Sequence, residues 1–205
     1  MKKKSLALLM AVVMLFGVTV GGTLAWLYTS TSTVTNTFTV GDIKIVLDEK
    51  DTDDSKTNVT VEGRDTANKY DIVPGTTYEK DPTVTVKANS EPCYLFVKFE
   101  EVGNPSTYYT YTSNLTDTTV WTPLDGVAGV YYKTVDTSTA DQSFLLLASQ
   151  GTGFVGGIKV KDTVKLADMT SAGAAQLKWT AYAVQKENFA TAKAAWDATF
   201  GATNP

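Results

Sequence analysis

Cys93-Tyr94-Leu95-Phe96-Val97-Lys98-Phe99-Glu100-Glu101 is the stretch that decides the fold. Successive side chains of a strand point to opposite faces, so a period of two sets Cys93, Leu95, Val97 and Phe99 on one side, turned to a core. The same alternation runs through most of the chain, and its candidate strands are rich in Thr, Val and aromatic residues. Cys93 is the single cysteine, so no internal disulfide staples the fold. It reads as a small buried hydrophobe, the other reading being a reactive or intermolecular thiol.

Toward the N-terminus, residues 83–88 and 58–62 read as short strands, and Val73-Pro74-Gly75 between them as a turn in which Pro sets φ and Gly admits a positive φ. Residues 48–56 read as a charged, solvated loop. Residues 34–47 alternate in two halves, Val34, Phe38 and Val40, then Ile43, Ile45 and Leu47, with a shift of register at Gly41-Asp42. Toward the C-terminus, Gly103-Asn104-Pro105-Ser106 breaks the pairing and residues 108–112 continue as a strand or ribbon. Trp121 and residues 130–135, 143–147 and 154–164 are further candidates, and the unbroken apolar run 144–147 fits a doubly buried strand or a helix fragment equally well. Residues 167–175 suggest one helical turn and residues 177–184 the last clear strand. Asn188 is placed to cap a short helix carrying Phe189, Ala192, Ala195, Trp196 and Phe200 before Gly201. The fold expected is all-β, an antiparallel jelly-roll-like β-sandwich with a short C-terminal helix.

The first residues differ in kind. Lys2-Lys3-Lys4 is a cationic start, and residues 6–20 are apolar apart from Gly17 and Thr19, the pattern of a secretory signal peptide. Thr23-Leu24-Ala25 offers small residues at the two positions a signal peptidase reads, so the cut is expected after Ala25, leaving Trp26 as the new N-terminus. The alternative is an uncut anchor, because residues 6–28 approach the roughly 20 apolar residues that cross a bilayer. Gly21, Gly22 and Thr23 interrupt such a helix. The organisation is then residues 1–25 as leader, residues 26–40 as an N-terminal strand and candidate donor strand, and residues 41–205 as one sandwich domain. Without the leader, 15 basic groups face 22 acidic ones, a net charge of −7. Nucleic acid is not an expected partner of such a surface, and Arg64 is the only arginine.

Chemistry is restricted by the absence of histidine. That removes Ser-His-Asp and Cys-His sites and the commonest zinc ligand. Glu100 and Glu101 are adjacent on a strand and point apart, so they do not converge as a glycosidase pair. Asp51 and Asp53, with Glu62 at the twelfth position of the loop, faintly match a calcium loop, but Lys56 stands where the turn needs Gly. Asn58-Val59-Thr60 and Asn114-Leu115-Thr116 match the glycosylation triplet, a motif short enough to recur by chance. Tyr108, Tyr109 and Tyr111, with Tyr131 and Tyr132, offer either a platform for stacking on glycans or cross-strand packing. No catalytic residue, bound metal or cofactor is expected.

Gly21-Gly22-Thr23-Leu24-Ala25-Trp26-Leu27-Tyr28, followed by Val34-Thr35-Asn36-Thr37-Phe38-Thr39-Val40-Gly41, resembles the signal peptide and first mature strand of proteins processed by the SipW-type signal peptidase, the TasA and camelysin (CalY) family of Gram-positive bacteria. Residues 73–86, Cys93-Tyr94-Leu95-Phe96-Val97-Lys98 and Thr180-Ala181-Tyr182-Ala183-Val184-Gln185 are similar to SipW-signal-peptide members more than to TasA itself; residues 104–150 carry no resemblance. The resemblance implies a jelly-roll subunit, exported and cut by a SipW-type peptidase, that self-associates into extracellular biofilm-matrix fibres or stays on the cell surface, touching the membrane only through an uncut leader. It further implies assembly by donation of the N-terminal strand, here with Trp26, Leu27, Tyr28, Val34, Phe38 and Val40, to the sheet of a neighbour. Some relatives are described as metallopeptidases, an activity hard to reconcile with a chain lacking histidine. A surface-held glycan-binding module is the alternative expectation, and a secreted hydrolase the third.

Overall fold

The computed structural model describes residues 28–31, 42–52, 59–61, 63–66, 68, 70 and 72–201. Its strands, in chain order, are β1 (Tyr28–Thr31), β2 (Ile45–Lys50), β3 (Val59–Val61), β4 (Arg64–Asp65), β5 (Thr77–Glu79), β6 (Thr83–Val86), β7 (Cys93–Val102), β8 (Tyr109–Thr110), β9 (Thr122–Pro123), β10 (Val130–Val135), β11 (Gln142–Leu145), β12 (Gly157–Val160) and β13 (Gln176–Gln185). The helices are α1 (Pro105–Tyr108), α2 (Met169–Ala174) and α3 (Ala192–Phe200). The strands form three antiparallel sheets, ordered β1-β13-β7-β10-β9, β11-β6-β2-β4-β3 and β5-β12-β8. The chain is therefore mostly β, with a few short helices.

β7 is the spine of the first sheet. It pairs along its whole length with β13, from Cys93 opposite Gln185 to Val102 opposite Gln176, and on its other side with β10. Cys93, Leu95 and Val97 enter the main core together with Ala181 and Ala183 of β13, Val135 of β10, Ile45 of β2, and Val84 and Val86 of β6. Ile43, just before β2, Trp121 and Leu146 complete that cluster, which draws on both five-stranded sheets.

The opposite face of β7 is also covered. Tyr94 and Phe96, with Tyr182 and Val184, lie under α3 and bury Trp196 completely. Phe189, Ala192, Ala195, Trp196 and Phe200 all belong to this cluster, as the helical spacing requires. A third, smaller cluster holds Tyr109, Val160, Val164 and Ala172.

Local structure departs from the sequence reading at several points. The helix is capped by Thr191, not Asn188: Thr191 is extended, at φ −141° and ψ 153°, and its hydroxyl accepts from the Ala194 N–H at 3.1 Å. The chain passes Asn188 in a turn that bonds the Phe189 N–H to the Lys186 carbonyl, so the cap falls three residues after the expected one. Residues 108–112 make only the two-residue β8, because Pro105 opens a one-turn helix that runs through Tyr108. The 144–147 ambiguity resolves as strand up to Leu145, after which Leu146 and Leu147 leave the strand fully buried. Of residues 154–164 only Gly157–Val160 is strand. The turn at Val73-Pro74-Gly75 forms as expected, with Gly75 at φ +80°. Residues 48–50 belong to β2 and not to a solvated loop: Asp48 and Glu49 are 8% and 6% exposed.

Candidate functional site

The edge of the first sheet is the place where the fold meets the expected function. β1 is its outermost strand, with Tyr28 opposite Val184, Thr29 opposite Ala183, Ser30 opposite Tyr182 and Thr31 opposite Ala181. This register places Thr29 and Thr31 beside the two alanines that enter the main core, and Tyr28 and Ser30 beside Val184 and Tyr182 on the helix side.

The described residues of β1 face part of that edge. β13 has ten residues, and β1 is registered against Ala181, Tyr182, Ala183 and Val184. Among the described residues no strand is registered against residues 176–180 on the side away from β7. The edge strand of a sheet is a template for another strand. Trp179 lies in this stretch, stacked on its partner Phe99 of β7 at 5.3 Å and 25°. Its Nε1 is buried and finds no acceptor among the described residues.

Next to Trp179 stands a cluster of charges that sequence reading missed. Arg64 of β4 donates from Nε to Asp48 Oδ1 at 2.6 Å and from Nη1 to Asp81 Oδ2 at 2.9 Å, while Nη2 reaches the Asp48 carbonyl at 3.2 Å. The Lys50 N–H donates to the other Asp81 oxygen at 2.6 Å. Lys80 Nζ pairs with Glu49 at 2.7 Å and lies 5.3 Å and 5.6 Å from the ring centres of Tyr70 and Trp179. Burial by itself lowers the Arg64 guanidinium, but hydrogen bonds with Asp48 and Asp81 outweigh it and hold the group above its ordinary pKa. Burial likewise raises the Tyr70 hydroxyl, with the Glu49 carboxylate adding to the effect. The cluster clamps β2, β4 and the segment between β5 and β6 together. The one available signal was that Arg64 is the only arginine and follows Gly63, which takes φ +77° as a turn residue does.

The remaining candidates fall as follows. Thr23, Ala25, Trp26, Leu27, Val34, Phe38 and Val40, with Asp53 and Glu62 of the calcium loop, lie outside the described residues. Asp51, the third member of that loop, is half-buried, with its N–H on the Gly63 carbonyl. Among the described residues no group of three or more Asp, Glu, Cys or His is placed to hold a metal ion. Tyr109 is 7% exposed and donates to the Ala172 carbonyl at 2.5 Å, so it offers no face for a sugar. Tyr108 meets its edge at 67°, and Tyr111 donates to Glu101. The three side chains pack in and around the third cluster and do not form a flat platform. Cys93 is fully buried, and desolvation, with Asp136 adding to it, pushes its thiol up to about 12.

No protein-family model matches the chain, and searches of curated proteins and of solved structures returned no match.

Proposed function

We propose that this chain is a non-enzymatic structural protein, exported with a leader cut after Ala25, that builds extracellular-matrix or cell-surface fibres by adding its N-terminal strand to the sheet of a neighbour. In this reading the two five-stranded sheets form a jelly-roll-like sandwich, and a SipW-type peptidase makes the cut. The observation that carries it is the edge position of β1 in the first sheet, antiparallel to β13. An edge strand has one neighbour in its sheet and can be exchanged for the equivalent strand of another copy. Cleavage also exposes Trp26 and Leu27 at the new terminus, and apolar surface of that size is costly to leave in water. The test is electron microscopy of the exported chain beside a form lacking residues 26–36. Fibres are expected from the first and not from the second, and unchanged fibres after the deletion would rule the mechanism out.

A further inference from the structure

We propose that Lys80 and Glu49 join through an amide bond between the lysine Nζ and the glutamate side-chain carbon, an internal cross-link of the kind that a single cysteine cannot supply.

Burial sets this pair apart. Lys80 Nζ stands 2.7 Å from Glu49 Oε2 with the two side chains 14% and 8% exposed, while pairs such as Lys87 with Asp141 and Lys193 with Asp197 lie open to water. The rings of Tyr70 and Trp179 wall Nζ in. Two opposite charges are costly to keep out of water, and passing the ammonium proton to the carboxylate removes both. The amine that remains is a nucleophile already in contact with its electrophile. With one oxygen at 2.7 Å, the carboxyl carbon of Glu49 falls at the edge of the near-attack range of about 3–3.5 Å.

The surroundings hold that contact in place. One guanidinium, that of Arg64, binds Asp48 and Asp81, the neighbours in sequence of Glu49 and Lys80, and so clamps the two backbone segments that carry the reacting groups. The Lys80 N–H donates to the Gly156 carbonyl at 3.1 Å, and Gly156 packs so closely that a β-carbon there would lie 2.5 Å from the Lys80 carbonyl oxygen. A second carboxyl is at hand. Asp65 is fully buried and stands directly opposite Glu49 in the ladder between β2 and β4, which sets both side chains on one face with β-carbons about 4.5–5.5 Å apart. Asp48 follows the alternation of the strand to the other face, toward Arg64.

The step balances without oxidant or cofactor. Nζ adds to the Glu49 carboxyl carbon and forms the C–N bond; Asp65 relays a proton from the nitrogen to one carboxyl oxygen; the C–O bond breaks and that oxygen leaves as water. Walls that exclude water then oppose the reverse reaction. The product closes residues 49–80 into a covalent loop and constrains the unfolded chain as a disulfide does.

Peptide mapping of the exported chain tests this. Trypsin cuts after Lys44, Lys50, Lys69 and Lys87, and after Lys80 where its amine is free. The expected product is one branched peptide, residues 45–50 joined to residues 70–87, lighter than the two together by one water molecule, with fragment ions placing the link at Glu49 and Lys80. Separate peptides of unaltered mass with a cut after Lys80 overturn the proposal, and so does a loss of water placed at other residues. Lys80→Arg keeps the cation and is expected to abolish the branch; a branch that persists overturns the assignment. Asp65→Asn, in a chain with native tryptophan fluorescence, is expected to leave the two peptides separate, and linking at the unsubstituted rate overturns the proton relay. Where either variant fails to fold, the map of the unsubstituted chain decides by itself.

Discussion

Replacing Arg64 by Ala strips one guanidinium from two buried carboxylates at once. Asp48 Oδ1 and Asp81 Oδ2 accept from it at 2.6 Å and 2.9 Å, and the two acidic side chains are 8% and 11% exposed. Their position in β2 and just before β6 is held by the strands, so neither carboxylate can swing out to water without disrupting the ladder between Asp48 and Thr83. Truncating one partner of a buried pair costs about 3–5 kcal/mol, because a charge is left uncompensated. The Arg64 side chain is itself 27% exposed, so water reaches the hole. We therefore expect a value near the lower end, about 3 kcal/mol, with the Lys50 N–H still serving Asp81. For a domain of this size that is a fall in midpoint temperature of roughly 6–12 °C. Arg64→Lys keeps the charge but cannot divide one ammonium between two carboxylates on opposite sides, and a loss of about 1–2 kcal/mol is expected. Urea denaturation followed by tryptophan fluorescence, with linear extrapolation at constant slope, reads both variants. A change under about 0.5 kcal/mol for Arg64→Ala, the value of an exposed ion pair, would refute the reasoning.

Two other outcomes follow from burial. Trp196 is fully buried between Phe96, Tyr182 and Phe200, so Trp196→Ala is expected to cost about 3–5 kcal/mol, while Trp196→Phe costs much less since the indole Nε1 has no acceptor to lose among the described residues; equal losses, read by the same denaturation series, would contradict this. Cys93 is fully buried with its thiol pushed up to about 12, so a thiol reagent at pH 8 should label it only as fast as the chain unfolds. In the unfolded chain that thiol ionises near 9, so the folded state holds its proton longer and stability falls as pH climbs from about 9 toward about 12. Cys93→Ala should remove that part of the slope, and rapid labelling of the native chain would oppose both expectations.

How much was legible beforehand varies with the kind of contact. The β7 face of Cys93, Leu95 and Val97 and the α3 stripe were readable because a period is a local property of the chain. The cap at Thr191 was not, because Asn188 and Thr191 are both good caps and the choice depends on where the chain leaves β13. Tyr108, Tyr109 and Tyr111 looked like a surface because Tyr is content half-wet; α1 and Ala172 turned Tyr109 inward. The charges of residues 48–50 looked like loop for the same reason: composition cannot say that Arg64 and Lys80 arrive from elsewhere in the chain to neutralise Asp48 and Glu49.

The sequence by itself determined the all-β class, the terminal helix with its apolar stripe, the buried thiol and the absence of histidine chemistry, since each depends only on residue type and spacing. Only the tertiary structure decided that β7 is covered on both faces, that an ionic cluster joins β2 to β4 and Asp81, and that β1 lies at the edge of the first sheet beside β13. Those facts belong to pairs of segments far apart in the chain. Register between distant strands appears only once both are fixed in space.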